Sequence, residues 1–415
     1  MIRVEEALNH ILNSISPLDL EKTDILNALG RVIGEDIYAG RNIPPKDNSA
    51  MDGYALKSED TKGASADAPV MVETIEDIPA GYLSQKTVGS GQAARIMTGA
   101  YVPEGADTVV KVEDTERDGN RVRIFVESPK GENIRYSGED VKEGDLVLSK
   151  GKIVGPAEVG MLASLGRSFI KVYQKPLVAI IATGDEIADI DEDTSGEKII
   201  SSNSYSLHAQ VRECGALPLQ TGIAKDREES LMAAFRAALR ADVIISSGGV
   251  SVGDYDFVKD VMEQMGTNIE FWQVAQRPGK PLAFGTMEGK LVFGLPGNPV
   301  SSMITFEEYV RPALLKMMGH EEIFRRTIKA ILTEDIKKKG GLKHFIRALV
   351  KKEGERFTVS TTGEQGSGIL TSMVLANGII VLPEDMTLVK KGEEVAVQLI
   401  DDSFETSSKP EYLKF

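Results

Sequence analysis

Four loops hold the residues best suited to a phosphorylated or oxyanionic ligand. The richest is Ser246-Ser247-Gly248-Gly249-Val250-Ser251-Val252-Gly253-Asp254-Tyr255-Asp256, which follows an apolar run and leads into a helical pattern. Glycines let successive backbone N–H groups converge, and a helix start adds partial positive charge, so a phosphate can be cradled without net cationic side chains. No Gly-Lys-Ser/Thr ending follows, so this is not a Walker A loop, and the G-x-G-x-x-G dinucleotide pattern is absent. A plain flexible turn does not need so many small polar residues. The second loop, Thr183-Gly184-Asp185-Glu186, brings two carboxylates to a strand end. They can hold a cation-bound phosphate or a Mg²⁺ water, or they can serve as the N-terminal charges of an ordinary βα turn.

The third loop is Gln276-Arg277-Pro278-Gly279-Lys280-Pro281. Pro and Gly shape it so that a guanidinium fork and a compact ammonium can face one anion; a solvated basic turn is the plainer alternative. The fourth, Leu295-Pro296-Gly297-Asn298-Pro299-Val300-Ser301-Ser302, is either a stiff turn with a helix cap or a rigid wall for an aromatic ring or phosphate. Earlier in the chain, Asp47 and Asp52 lie on a proline-flanked loop, and Thr98-Gly99 exposes a hydroxyl beside a backbone donor. Glu132, Arg135, Glu139 and Asp140 read as a site or simply as a surface ion network.

The elements around these loops set their positions. Leu177–Ala182 and Asp242–Ser246 are apolar runs of the kind that form buried parallel strands. Helical patterns follow at 203–213, 226–240, 256–265 and 301–317, the last kinked or restarted at Pro312. Strands are expected at 217–220, 270–275, 282–286 and 291–294. This alternation is α/β, and three of the loops stand where such folds bind ligands, outside the carboxyl ends of parallel strands. Residues 3–14 and 21–30 read as helices, the second closed by Gly30, and 156–166 as another. Residues 69–128 alternate short strands with turns, including an Asp118-Gly119-Asn120 hairpin. Strands at 327–332, 345–350, 357–360, 378–382 and 395–400 suggest a small barrel or sandwich.

The expected organisation is therefore multidomain α/β plus β. A discontinuous N-terminal region covers 1–48 and 136–174, with 1–25 free to pack on the α/β domain. A β-rich insertion covers 49–135, a parallel-rich α/β domain 175–322, and a C-terminal β-barrel 323–405.

The chain has 415 residues, too many for one ordinary core. Its 48 basic and 63 acidic residues give a net charge of −15, which repels nucleic acid and anionic lipid on average. Neither partner is expected. Cys214 stands alone, which excludes an internal disulfide and a four-cysteine metal site, and fits a reducing compartment. The four histidines are scattered. Neither a signal-peptide core nor an apolar run of membrane-spanning length is present, so a cytoplasmic location is expected.

Taken together, several segments resemble the molybdopterin molybdotransferase family, which includes the C-terminal enzymatic region of gephyrin. They are Asp47–Ala55, Arg95–Ala100, Gly131–Arg135, Thr183–Glu186, Ser247–Gly253 with Asp256, Arg277–Pro281, Leu295–Pro299 and Gly366–Ser372. The resemblance spans essentially the whole chain. It implies a molybdopterin-binding-type α/β domain and an elongated homodimer. In that dimer Asp52 and Thr98 of one subunit face Glu186 and Asp256 of the other. The implied reaction joins molybdate to adenylylated molybdopterin with Mg²⁺, giving molybdenum cofactor and AMP.

By the same resemblance, Asp52, Glu186, Asp256 and Lys280 are the catalytic candidates, and Asp52, Glu186 and Asp256 the metal ligands. Substrate contacts are expected from Thr98, Asp140, Thr183, Gly184, Asp226, Ser247, Gly248, Gly249, Ser251, Gly253, Arg277, Pro296, Gly297, Asn298 and Pro299. Arg277 departs from the bacterial form, which carries Lys there; charge is kept but the anion geometry differs. Implied partners are a second copy, the molybdopterin adenylyltransferase and molybdoenzyme chaperones. The alternatives are tungstate insertion, the preceding ATP-dependent adenylylation, or a scaffolding role.

Overall fold

A computed structural model describes every residue except 193–195, 250–256, 402–403, 405, 407–409 and 411–415. The chain divides into two compact units. One comprises Met1–Glu21, Gly30–Val32 and Val172–Phe415, the other Lys22–Leu29 and Ile33–Lys171.

The first unit is built on a six-stranded sheet ordered Leu217–Ala224, Leu177–Thr183, Val243–Ser247, Lys290–Leu295, Pro281–Met287, Asn268–Gln273. The first four strands are parallel; Pro281–Met287 runs antiparallel to both of its neighbours, so Asn268–Gln273 again runs in the direction of the first four. Side chains alternate between the faces of a strand, and both faces here are covered, which is why the sequence shows unbroken apolar runs. Val178, Ile180, Val243, Ile245 and Phe293 pack on one side with the helices Val4–Asn13, Ser202–Glu213 and Pro299–Met317. Ala179, Ile181, Ile244 and Val292 pack on the other with Glu228–Ala238 and Phe257–Gln264.

The helix from Pro299 contains a π turn at Phe306–Val310, where the Arg311 N–H donates to the Phe306 carbonyl five residues back. The α-helix resumes at Arg311, with Pro312 in its first turn, where a missing N–H costs little. The same unit carries a closed barrel. Lys343–Glu353 pairs with Arg356–Thr361, that with Thr327–Leu332, then Glu394–Leu399, then Gly378–Leu382, which returns to Lys343–Glu353. Closure removes free strand edges. Phe345 and Ile379 of the barrel join the core beneath the α/β sheet.

The second unit contains a mixed sheet ordered Thr108–Lys111, Gly53–Leu56, Gln92–Ile96, Val70–Ile78, Arg121–Ile124, Thr115–Asp118. Tyr54 and Leu56 enter one small core and Ala55 the other, the alternation a strand imposes. One expectation fails here: 21–30 is not a helix. Leu20–Asp24 is a strand and 25–30 are turns. The Asp24 carboxylate accepts hydrogen bonds from the Leu26 and Asn27 N–H groups, each 3.1 Å, and so closes a turn in place of a helical ladder.

Candidate functional site

The strand Leu177–Thr183 has its sequence successor Leu217–Ala224 on one side and the next, Val243–Ser247, on the other. The crossover connections therefore leave in opposite directions and open a crevice at their carboxyl ends, the usual ligand position in such sheets. A cavity of about 670 Å³ lies there. Thr183, Glu186, Asp226, Ser247, Gly248 and Gly249 line it from the strand ends, and Pro296, Gly297, Asn298 and Pro299 from the fourth loop.

Gly248 has φ 100, and a Cβ at this position would lie 2.6 Å from the Thr183 carbonyl oxygen and 2.8 Å from its hydroxyl. Only glycine lets the loop turn so close to the strand. Its N–H donates to the Leu295 carbonyl at 3.1 Å. Asn203, in the first turn of its helix and also lining the cavity, ties two loops together. Its Nδ2 donates to Ser247 Oγ and to the Gly297 carbonyl, both at 2.8 Å. A carbonyl can only accept, so the orientation of this amide is determined. The buried Thr183 hydroxyl has no partner among the described residues. A ligand oxygen would satisfy it.

The acidic side of the cavity is under electrostatic tension. Burial pushes the Asp226 carboxyl above the usual range, and the charges of Glu186 and Asp185 push it further. Clustered carboxylates of this kind favour a cation. Among the described residues no group of three or more His, Cys, Asp or Glu is placed to hold a metal. Two carboxylates, Glu186 and Asp226, do line the cavity. That donor set suits Mg²⁺, which commonly takes one or two carboxylates and completes its shell with phosphate oxygens and water.

Arg277 and Lys280 are exposed and are not among the residues lining the cavity. Their turn instead meets the barrel: Gln276–Arg277 pairs in parallel with Lys343–His344. Arg347, only 1% exposed, lies within the field of Arg277. Burial and then that charge bring the Arg347 guanidinium down to about 10. Burial, Lys338 and Arg277 together bring His344 down to about 4. Burial is the larger cause in both, and the added lowering by Arg277 and Lys338 shows positive potential around this turn, which an oxoanion relieves. Arg347 donates from Nε to Ser372 Oγ and from a terminal nitrogen to the Gly366 carbonyl, both at 3.0 Å. It thereby holds the segment whose Gly368 and Leu370 reach the cavity.

In the second unit, the Asp52 carboxylate accepts from the Thr98 N–H at 2.7 Å and from the Thr98 hydroxyl at 2.8 Å. These bonds hold its pKa below the usual carboxylate range. Asp52 is thus a pre-oriented anion on the surface, set by two short strands and a Thr-Gly turn. Asp140 is exposed, its N–H bound to the Ile43 carbonyl at 3.1 Å.

Comparison with known proteins gives these features a family. Residues 2–166 match the MoeA N-terminal region (domain I and II), 179–316 a probable molybdopterin binding domain, and 329–400 the MoeA C-terminal region (domain IV). The chain is 36% identical to molybdopterin molybdenumtransferase of Staphylococcus aureus (strain COL), over 96% of each chain. It is equally identical, 36%, to the Bacillus subtilis (strain 168) protein of that name, over 96% of this chain and 94% of the relative. The chain belongs to the molybdopterin molybdenumtransferase family. A crystal structure of a molybdopterin biosynthesis moeA protein from Pyrococcus horikosii matches 97% of this chain and 99% of its own, with TM-score 0.84 and 33% identity.

Family membership places the chain among the transferases of molybdenum cofactor biosynthesis. In this molybdopterin molybdenumtransferase fold, Ser201, Ser202 and Asn203 line the cavity although nothing in their local sequence marks them. They begin a helix after a short strand, Ile199–Ile200, and only the sheet topology brings that helix start to the strand ends. Arg347 was equally silent, one basic residue in a barrel strand. Gly184 shares the Thr183 turn without lining the cavity. Ser251, Gly253 and Asp256 lie outside the described residues.

Proposed function

We propose that this family member inserts molybdate into adenylylated molybdopterin and releases AMP. The observation that carries the reading is the cavity at the sheet's switch point. It combines an uncharged glycine-serine cradle with a carboxylate pair, within a unit that also sets the buried Arg347 in the field of Arg277.

The Gly249 N–H and the Thr183 hydroxyl receive phosphate oxygens of the substrate, as glycine-rich strand ends do, while the Gly248 N–H is held by the Leu295 carbonyl. Glu186 and Asp226, which line the cavity, would hold Mg²⁺, with Asp256 and Asp52 added by the family pattern. Held there, Mg²⁺ would supply neutralisation of negative charge on the phosphoanhydride. Arg277 and Lys280, with Arg347 behind them, receive the molybdate oxoanion. A dianion approaching an already anionic pterin needs this concentration of positive charge. Pro296, Gly297, Asn298 and Pro299 form a stiff wall for the substrate. No covalent nucleophile is required, and Cys214 is unsuited to be one, since burial pushes its thiol up to about 12. The working form is a cytoplasmic homodimer in which Asp52, Thr98 and Asp140 of one copy complete the site of the other. Among the described residues, no helix is long and apolar enough to cross a membrane.

The test is direct. Purified protein given adenylylated molybdopterin, molybdate and Mg²⁺ should release AMP and yield active cofactor. AMP release no faster than without protein would reject the reaction. Consumption of ATP with unadenylylated molybdopterin would assign the chain to the preceding step instead.

A further inference from the structure

The turn that carries Arg277 and Lys280 has few means of its own to hold a shape. Both cations are exposed, and their positions depend on the backbone of Gln276–Pro281. That backbone is bound from beneath by a side chain. Gln276 is 0% exposed, and its Nε2 donates to the Pro278 carbonyl at 3.1 Å. The Val274 N–H closes the turn on the Lys280 carbonyl at 3.0 Å. Gly279 completes the packing: its φ is 85, and a Cβ there would lie 2.5 Å from Thr305 Cγ2 and 2.8 Å from Gln276 Nε2.

The Gln276 amide has one permitted orientation. The Pro278 carbonyl accepts only, so it must face the NH₂ group, and Oε1 must point the other way. Tyr309, also 0% exposed, meets Oε1 with its hydroxyl. Because Oε1 is an acceptor, the phenol must donate. Tyr309 lies in the π turn Phe306–Val310, whose wider ladder changes where each side chain of that turn points. The π turn, Tyr309, Gln276 and the Pro278 carbonyl therefore form one hydrogen-bonded line ending under the two cations.

We propose that Tyr309 and Gln276 are positioning residues for oxoanion binding, holding the Arg277–Lys280 turn in its binding shape. They touch no substrate. The proposal rests on the reading that Arg277 and Lys280 receive molybdate. Misplacing the cations by a fraction of an ångström weakens their convergence on one anion, while the glycine-serine cradle is left as it is.

The experiment uses the full-length protein with adenylylated molybdopterin and Mg²⁺, varying molybdate, and measures AMP binding separately by calorimetry. Tyr309→Phe should raise the KM for molybdate about tenfold, the effect of losing one buried hydrogen bond. Its kcat at saturating molybdate and its AMP affinity should stay within about twofold of wild type. Gln276→Glu supplies a second readout. Its neutral carboxyl can donate to Pro278 and accept from Tyr309, but its carboxylate cannot donate. Its molybdate KM should therefore approach wild type at low pH and climb as pH rises, whereas the wild-type KM lacks that climb.

Arg277→Ala separates this proposal from the reading beneath it. If Arg277→Ala raises the molybdate KM and Tyr309→Phe does not, the relay is wrong and the oxoanion reading survives. If Arg277→Ala has no effect on that KM, both fall. Should Tyr309→Phe fail to fold, the Gln276→Glu profile decides: a KM that follows the wild-type profile overturns the proposal.

Discussion

Asp226 carries the clearest electrostatic signature in the cavity, because the groups that shift it are themselves candidate ligands. Its folded-state pKa is raised by burial and by Glu186 and Asp185. Between the unfolded value and that raised value, the folded state binds more protons than the unfolded chain. Stability contributed by this group therefore falls as pH rises through that window, and at neutral pH the ionised carboxylate is a net cost. Asp226→Asn should raise the Tm at neutral pH while lowering AMP release, a combination a thermal melt and a turnover assay read together. Added Mg²⁺ should raise the Tm of wild type more than that of this variant; equal gains would remove Asp226 from the metal site. Gly248→Ala should act in the opposite way. Its φ of 100 and the 2.6 Å approach to the Thr183 carbonyl make any side chain strained. A loss of about 1–3 kcal/mol in a denaturant titration is expected, together with lost turnover.

The π turn is a local element with a titratable group inside it. Glu308 is buried, accepts from Gln398 Nε2 at 3.3 Å, and is pushed up to about 8 from 4.5, chiefly by burial. The Glu307 charge raises it further, against the Gln398 bond and the charges of Lys343 and Arg311, which lower it. Below 4.5 both folded and unfolded chains hold this proton; between 4.5 and about 8 only the folded chain does. Wild type should therefore lose stability, relative to Glu308→Gln, as pH rises through that range, by an amount on the order of a few kcal/mol. Parallel unfolding curves of the two proteins at every pH would refute the assignment. Elements were legible where their apolar spacing was long: the four parallel strands and the helices around them lie within a few residues of expectation. The failure at 21–30 has a local cause, since Asp24 offers its neighbours side-chain bonds that compete with a helix.

For the assembled molecule, the central prediction concerns subunits. If Asp52 of one copy serves Glu186 of the other, co-expressed Asp52→Ala and Glu186→Ala chains should complement. Random mixing gives half heterodimers, each with one intact site of two, so about one quarter of wild-type AMP release is expected. Activity no greater than that of either variant alone would place both residues in one subunit's site or outside the site altogether.

From the sequence alone, the loops at the strand ends could be found because apolar strands must stop before polar, glycine-rich turns, and in a parallel sheet the turns after successive strands share one edge. The ordered set of such segments was also enough to indicate the family. Folding decided which distant groups meet there. Arg347 and His344 reach the Arg277 turn because the barrel pairs Lys343–His344 with Gln276–Arg277. Asn203 joins Ser247 to Gly297, and Tyr309 supports Gln276 across 33 residues of chain. None of these contacts has a spacing or composition to betray it, because each is set by how sheet, helix and barrel pack.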